Sequence, residues 1–134
     1  ELPVSAHSDS LMLRMYAAAA RPGELFFVIS HTGRTRDLVD IACLARQRGA
    51  TVVTLTAADS ALARNSDVAV GLEVSEDTDA YMPMTSRLLH LAVLDVLAAG
   101  VTLRLGEQLQ PRLRAIKESL RATRYAAIPA GVSK

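Results

Sequence analysis

Tryptophan is absent from this sequence, and cysteine, aromatic residues and net charge are scarce. The single cysteine, Cys43, excludes an internal disulfide, and we expect it to be an inert, partly buried thiol. A net charge of +1 provides no overall basic field that would attract nucleic acid. The three histidines are far apart along the chain, and no cluster has metal-ligand spacing. We therefore predict neither a metal ion nor a cofactor.

A signal peptide is not recognisable, and no apolar run has membrane-spanning length, which favours a cytoplasmic protein that has no membrane partner. Half of the 134 residues are hydrophobic, enough for one domain with its own core. We predict one domain over residues 1–125 and a flexible tail over residues 126–134. Because the sequence begins with Glu1 directly in a strand-like segment, we expect it to be a piece of a longer protein.

Strand-like segments alternate with helical patterns along the first three-quarters of the chain. The predicted strands cover residues 2–6, 25–30, 51–56 and 67–74. The predicted helices cover about residues 10–20, 35–48, 57–65, 84–99 and 106–125. Such alternation predicts a parallel sheet with helices on both faces. Ligands bind such sheets at the carboxyl ends of the strands, where residues 7–10, 30–35, 57–60 and 75–79 would together line one pocket.

The segment over residues 25–40 is the most informative about function. An apolar run over 25–30 is typical of a strand buried on both faces, and a helical pattern starts at residue 35. In the loop between them, four of six positions are hydroxyl residues or glycine: Ser30, Thr32, Gly33 and Thr35. Free backbone N–H groups, the helix dipole and hydroxyls favour an anion there, and Gly33 lets a phosphate approach the backbone.

A second explanation of these hydroxyls stays open, because Ser and Thr are ordinary helix caps. The loop is shorter than a P-loop and lacks its lysine. A single cap, however, needs only one hydroxyl.

The side chains that could supply an acid or base are few: His7, His31, Glu73, Glu76 and Asp77. His31 is the best placed, being inside the loop, but we favour a neutral, hydrogen-bonding role for it. The carboxylates at residues 76–79 read as solvated, and no nucleophile–base pair can be inferred. We therefore predict no catalytic residue.

The predicted helix over residues 84–99 is apolar nearly all round, which indicates burial on more than one side and favours a homodimer. An assembly role in which the pocket is vestigial stays open for this reason. The last helix has a basic stripe that we interpret as solvated, although it could meet acidic groups or DNA: Arg114, Lys117, Arg121 and Arg124.

Residues 30–35, which read SHTGRT, resemble the S-x-S/T-G-x-T loop of the SIS (sugar isomerase) domain. The downstream order is also similar: TVVTLT at 51–56, SALAR at 60–64, DVAV at 67–70, and TSR at 85–87 opening a helix. This set resembles the effector domain of RpiR-type bacterial transcription regulators. The resemblance covers nearly all of residues 2–124.

The resemblance implies a three-layer α/β/α sandwich with a five-stranded, mostly parallel sheet that binds phosphosugars. It implies a ligand loop made of Ser30, His31, Thr32, Gly33, Arg34 and Thr35. Among such regulators the most similar kind governs hexose catabolism, so the implied effector is 2-keto-3-deoxy-6-phosphogluconate, whose binding releases DNA. DNA would be bound only through an N-terminal helix-turn-helix domain that is absent here. A phosphosugar isomerase is the alternative.

One departure concerns the family's first strand and its Gly/Ser-rich loop, which precede the segment where this sequence begins. In the family that strand lies inside the sheet, beside the strand that matches residues 25–30. We therefore expect a sheet that lacks this strand, an incomplete ligand pocket and an exposed edge along residues 25–30.

Overall fold

A computed structural model describes residues 3–75, 85–106 and 110–123. The chain divides into two compact units, Glu1–Leu91 and Ala92–Lys134. The described elements, in chain order, are α1 (Ser10–Ala18), β1 (Leu25–Ile29), α2 (Arg36–Gln47), β2 (Thr51–Thr56), α3 (Ala61–Arg64), β3 (Val68–Gly71), α4 (Thr85–Leu105) and α5 (Gln110–Ala122).

The three strands form one parallel sheet in the order β1-β2-β3. Leu25 lies opposite Thr51 and Ile29 opposite Leu55, and Leu55 in turn lies opposite Val70. Because all three strands are parallel, their carboxyl ends and the loops that follow lie at one edge of the sheet. The mixed α/β class with a parallel sheet confirms the predicted fold class. As expected, β1 is an edge strand of the sheet formed by the described residues.

The core lies between this sheet and helices α1 and α2. Alanines Ala17, Ala42 and Ala45 are fully buried there, and their small side chains allow the two helices to approach closely. Ile41 and Val52 fill the space between α2 and the sheet. Alanine side chains on two helices thus form much of the core beside the sheet in the first unit.

The start of β2 is tied to the start of β3 by Asp67. Its Oδ2 accepts the Val52 N–H at 2.8 Å, and its Oδ1 accepts from Arg46 Nε at 2.9 Å. The bond from the Val52 N–H, aided by Arg46 and opposed by desolvation, holds the pKa of Asp67 below its ordinary value of 3.8.

Strand β1 is less buried than its sequence predicts. Leu25, Phe27 and Ile29 are 62%, 37% and 41% exposed, whereas Phe26 and Val28 pack against the core. The prediction of a strand buried on both faces is wrong, because helices α1 and α2 cover only the face that carries Phe26 and Val28. An apolar run by itself does not reveal how many layers pack on a strand.

Residues 3–9 form no strand, so the first predicted strand is wrong for the part that the structure describes. Val4 is the only large apolar side chain in this stretch, and it is 91% exposed. Pairing the segment would bury too little apolar surface to offset the cost of ordering its backbone. Residues 7–10 therefore do not follow a strand, and Asp9 instead caps α1 by accepting the Met12 N–H at 2.9 Å.

Helix α4 runs through Gly100 to Leu105, and the predicted end at residue 99 is wrong. A glycine inside a helix costs only about 1 kcal/mol, and the residues that follow Gly100 continue the helical pattern. At 21 residues, α4 is long and apolar enough to cross a membrane by length and composition, which corrects the expectation that no such run exists.

The predicted start of the last helix at residue 106 is also wrong, because α5 begins at Gln110 and Gly106 adopts a positive φ of 53°. The acidic segment 76–84 and the predicted tail 126–134 lie outside the described residues.

Candidate functional site

The 30–35 loop joins β1 to α2 and is held in place by three backbone hydrogen bonds to later parts of the chain. The Ser30 N–H donates to the Leu55 carbonyl at 3.0 Å, and the His31 carbonyl accepts from Ala57 N–H at 3.2 Å. The Gly33 carbonyl accepts from Leu62 N–H at 3.1 Å. The path of the loop is therefore fixed by β2 and α3 before any ligand arrives.

Gly33 is required by packing inside the protein. Its φ is +60°, and it is buried. A Cβ at this position would collide with the hydroxyls of Thr56 and Ser60 and would lie 2.5 Å from the Ser60 Cβ. Gly33 is predicted to let a phosphate approach the backbone, and its close contacts show that Thr56 and Ser60 also support the loop from the end of β2. Ser60 lies in the 57–60 segment that is predicted to share a pocket with this loop, whereas Thr56 is not among the predicted site residues.

The loop hydroxyls have different roles. Ser30 Oγ accepts the Gly33 N–H at 3.2 Å, and Thr32 Oγ1 accepts the Arg34 N–H at 3.4 Å. Each of these hydroxyls still has its own proton to donate. Thr35 occupies the N-cap position of α2, but its side chain makes no capping hydrogen bond. Helix capping therefore does not account for the hydroxyls of this loop.

The electrostatics at the loop favour an anion. Thr35 leads directly into the 12-residue helix α2, whose first N–H groups and positive dipole end face the loop. The exposed Arg34 adds a full positive charge one residue earlier. Helix start, hydroxyl donors and one guanidinium together form a site that can hold a phosphate.

His31, inside the loop, lies near a residue that sequence analysis missed. The ring of His90, from the first part of α4, is 6.3 Å from the His31 ring, centroid to centroid. Burial of the His90 ring, and secondarily the neighbouring His31, lower the pKa of His90 from its ordinary value of 6.5. His90 stands alone in a leucine-rich helix, and no pattern in the sequence indicates that it would meet the loop.

The other predicted acid and base candidates have structural partners or lie outside the described ranges. The rings of His7 and Tyr16 stack at 4.6 Å. Glu73 accepts the Ala58 N–H at 3.2 Å, which ties the loop after β2 to the end of β3. Glu76 and Asp77 lie outside the described residues.

A metal-ligand cluster or a cavity elsewhere in the described residues would be a further possible binding site. Across residues 3–75, 85–106 and 110–123, no group of three or more His, Cys, Asp or Glu side chains is placed to hold a metal ion. A cavity of about 260 Å³ lies between α1 and α2, lined by Ser10, Leu11, Arg14, Asp37 and Ile41. Of the strand-end segments expected to share a pocket, residues 7–10 contribute Ser10 to this cavity. Residues 57–60 instead contact the 30–35 loop, through the Ala57 N–H and Ser60.

Comparison with known proteins agrees with the family predicted from the loop. The SIS domain family profile matches residues 1–100. The chain is 61% identical to the HTH-type transcriptional regulator HexR of Pseudomonas aeruginosa over 124 residues, which are 92% of this chain and 44% of that protein. It is 46% identical to HexR of Escherichia coli over 124 residues, again 92% of this chain and 43% of that protein. The chain thus spans less than half the length of these relatives.

More distant similarities include a bifunctional protein and a solved structure. The bifunctional protein glk of Paraburkholderia xenovorans is 33% identical over 103 residues, which are 77% of this chain and 16% of that protein. The structure of Vibrio vulnificus NanR in complex with ManNAc-6P superimposes with a TM-score of 0.76 at 23% identity, covering 90% of this chain and 46% of that one. At this identity the match with NanR establishes the fold.

Proposed function

Because this chain belongs to the SIS domain family, we propose that it is the phosphosugar-sensing domain of a bacterial transcription regulator. The phosphate of the ligand binds at the 30–35 loop. The observation that carries this proposal is the Thr35 hydroxyl, which sits at the start of α2 without a capping bond, in a loop already fixed by β2 and α3. A loop whose shape is set in advance loses little conformational entropy when the ligand binds.

In this proposal each loop residue has a distinct role. Ser30, Thr32 and Thr35 donate hydroxyl protons to phosphate oxygens, and backbone N–H groups at the start of α2 donate alongside them. Arg34 balances the charge of the phosphate from the exposed side of the loop. Gly33 keeps the turn tight against Thr56 and Ser60.

The proposed effector is 2-keto-3-deoxy-6-phosphogluconate, a phosphosugar acid, and its binding changes DNA binding by a helix-turn-helix domain outside this sequence. The similarity to two HexR regulators supports a role in regulation. A sugar phosphate is also the ligand named for the complex of NanR, which shares this fold. The domain is proposed to act in the cytoplasm. It is also proposed to act without catalysis, because no carboxylate among the described acid or base candidates lies with His31 in the loop: Glu73 is bound to the Ala58 N–H.

A homodimer formed through α4 is part of the same proposal. Along α4, the side chains of Leu91, Val96 and Leu103 are 60%, 70% and 82% exposed. An apolar surface of this extent on a regulator is best covered by a second copy of the chain. Sedimentation of the intact protein tests this: Val96→Glu should give monomers, and a dimer that survives this change would contradict the role of α4.

The test of the binding site is calorimetric titration of the intact protein with 2-keto-3-deoxy-6-phosphogluconate, glucose 6-phosphate and inorganic phosphate. Ser30→Ala and Thr35→Ala should each weaken binding about 10-fold or more, the usual cost of losing a hydrogen bond to a charged group. Thr51→Ala is the matched control, since Thr51 is an exposed hydroxyl at the opposite end of the strands.

Three results would change the proposal. Binding that is equally strong in wild type and in both loop variants would move the site away from the loop. Consumption of a sugar phosphate during the titration would indicate the alternative, a phosphosugar isomerase. No binding of any phosphate compound by wild type would leave an assembly role.

A further inference from the structure

We propose that His31 and His90 form a second subsite, in which the two imidazoles together bind one oxygen atom on the carbon chain of the ligand. This inference rests on the proposed phosphosugar function and adds the part of the site that distinguishes a phosphosugar from phosphate. His31 belongs to the 30–35 loop, and His90 reaches it from the first part of α4.

The first argument is that both rings have an unused polar atom. Nδ1 of His31 and Nε2 of His90 are shielded from solvent, and neither has a hydrogen-bond partner among the described residues. A buried nitrogen without a partner destabilises a protein, so such atoms are rare unless a ligand or another group completes them. Here two of them occur on neighbouring rings.

The second argument is the separation of the rings. Two imidazoles that share one tetrahedral oxygen, through hydrogen bonds of about 2.8 Å, have their centroids roughly 6 to 6.5 Å apart. The observed separation is 6.3 Å, with the ring planes tilted by 59°. The two rings are not stacked on each other, since stacked rings lie closer, as those of His7 and Tyr16 do at 4.6 Å.

The third argument concerns charge. Burial, together with His31, lowers the pKa of His90 below its ordinary value of 6.5, which favours the neutral ring. A neutral imidazole has one donor and one acceptor nitrogen. A sugar hydroxyl can accept from one ring and donate to the other, whereas a carboxylate oxygen would accept from both. Both possibilities require that the ligand carry one more oxygen besides those of its phosphate, in either a hydroxyl or a carboxylate group.

The experiment compares three probes on the intact protein: inorganic phosphate, glucose 6-phosphate and 6-phosphogluconate. His90→Leu should weaken both sugar phosphates about 10-fold and change inorganic phosphate affinity by less than about twofold. A loss confined to glucose 6-phosphate would assign a hydroxyl, and a loss confined to 6-phosphogluconate would assign the carboxylate. His7→Leu is the matched control, because His7 is exposed and stacks on Tyr16 away from this pair.

Thermal unfolding without ligand gives the second readout. His90→Leu removes an unpartnered buried nitrogen, so the Tm of the unliganded protein should stay the same or rise. A lower Tm together with equal losses for all three probes would mean that His90 is structural and would overturn the inference. Unchanged affinity for both sugar phosphates would overturn it as well.

A double-variant cycle completes the test. If the two rings share one oxygen, His31→Gln and His90→Leu should be non-additive, with the pair losing little more than either alone. Additive losses would overturn the shared oxygen. If Ser30→Ala weakens inorganic phosphate while His90→Leu weakens no probe, the second subsite fails and the proposed phosphate loop survives. If wild type binds none of the probes, both fail.

Discussion

Strands β1 and β2 lie side by side and pair in register, yet their environments are opposite. Every residue of β1 is apolar, and Leu25, Phe27 and Ile29 are exposed. Half of the residues of β2 are threonines, and Thr54 and Thr56 are fully buried. Position in the sheet therefore decides burial here: β2 is the central strand of the described sheet and β1 is its edge.

The loops that follow the two strands also differ in role. The loop after β1 exposes Arg34 and Thr35 beside a helix start, which suits binding. The segment after β2 places Ser60 against that loop and uses its hydroxyl to cap α3. Two neighbouring, hydroxyl-bearing loops at one sheet edge thus have different roles: the first is the proposed binding loop, and the second supports it.

The largest expected effect comes from truncating the buried strand. Leu55 is fully buried and its register partner Ile29 is 41% exposed. Leu55→Ala should lower the free energy of unfolding by about 2–5 kcal/mol, and Ile29→Ala by about 1 kcal/mol. Urea unfolding of both variants measures the difference. Equal losses would mean that the exposed face of β1 is covered in solution.

The next largest effect tests the contact between the two loops. Gly33→Ala should cost roughly 2–4 kcal/mol, because a positive φ and a collision with Thr56 and Ser60 both penalise a Cβ. Gly23→Ala is the control, since Gly23 also has a positive φ but nothing lies within 4 Å of an added Cβ; it should cost about 1–2 kcal/mol. Similar losses in the two variants would contradict tight packing of the loops.

A smaller effect on stability distinguishes the hydroxyl residues at two N-cap positions, Ser60 before α3 and Thr35 before α2. Ser60→Ala should lower stability by about 1 kcal/mol, because the Ser60 hydroxyl accepts the Ala63 N–H at 3.1 Å. Thr35→Ala should change stability by only about a few tenths of a kcal/mol, since Thr35 makes no capping bond. Thermal unfolding compares them. If Thr35→Ala destabilised the protein as much as Ser60→Ala, the Thr35 hydroxyl would be a cap and its binding role would be in doubt.

The smallest effect is a pH dependence from Asp67, which ties the start of β2 to the start of β3. Since the folded pKa of Asp67 lies below 3.8, its ionised form stabilises the fold fully above that pH. This stabilisation is lost as the pH falls through the lowered pKa. Asp67→Asn should therefore reduce the slope of stability against pH in urea titrations below pH 4. Parallel curves for wild type and the variant would show that the bond to Val52 N–H contributes nothing.

Much of the fold was predictable because its signals are local. Strand β2 was predicted with its observed bounds, since β-branched residues between Gly49 and Ala57 favour extended backbone wherever they lie. Helix α2 was predicted within one residue at each end, because the hydroxyl residue at its N-cap position and Gly49 after its end are sequence features. The predictions of a strand at residues 2–6 and of a helix end at residue 99 were wrong. Strand formation depends on pairing with a neighbouring strand, and continuation of a helix through a glycine depends on the summed helix propensities of the residues around it.

The candidate site divides along the same line. The sequence alone was enough to identify the 30–35 loop as a candidate site. Its hydroxyl residues, its glycine and the helix start are consecutive in the sequence, so they must be close in space. Only the tertiary structure showed that Thr56 and His90 reach that loop, and that Ser60 packs directly against Gly33. Those contacts join segments far apart along the chain, and their geometry follows from strand order and helix packing, which no local pattern encodes.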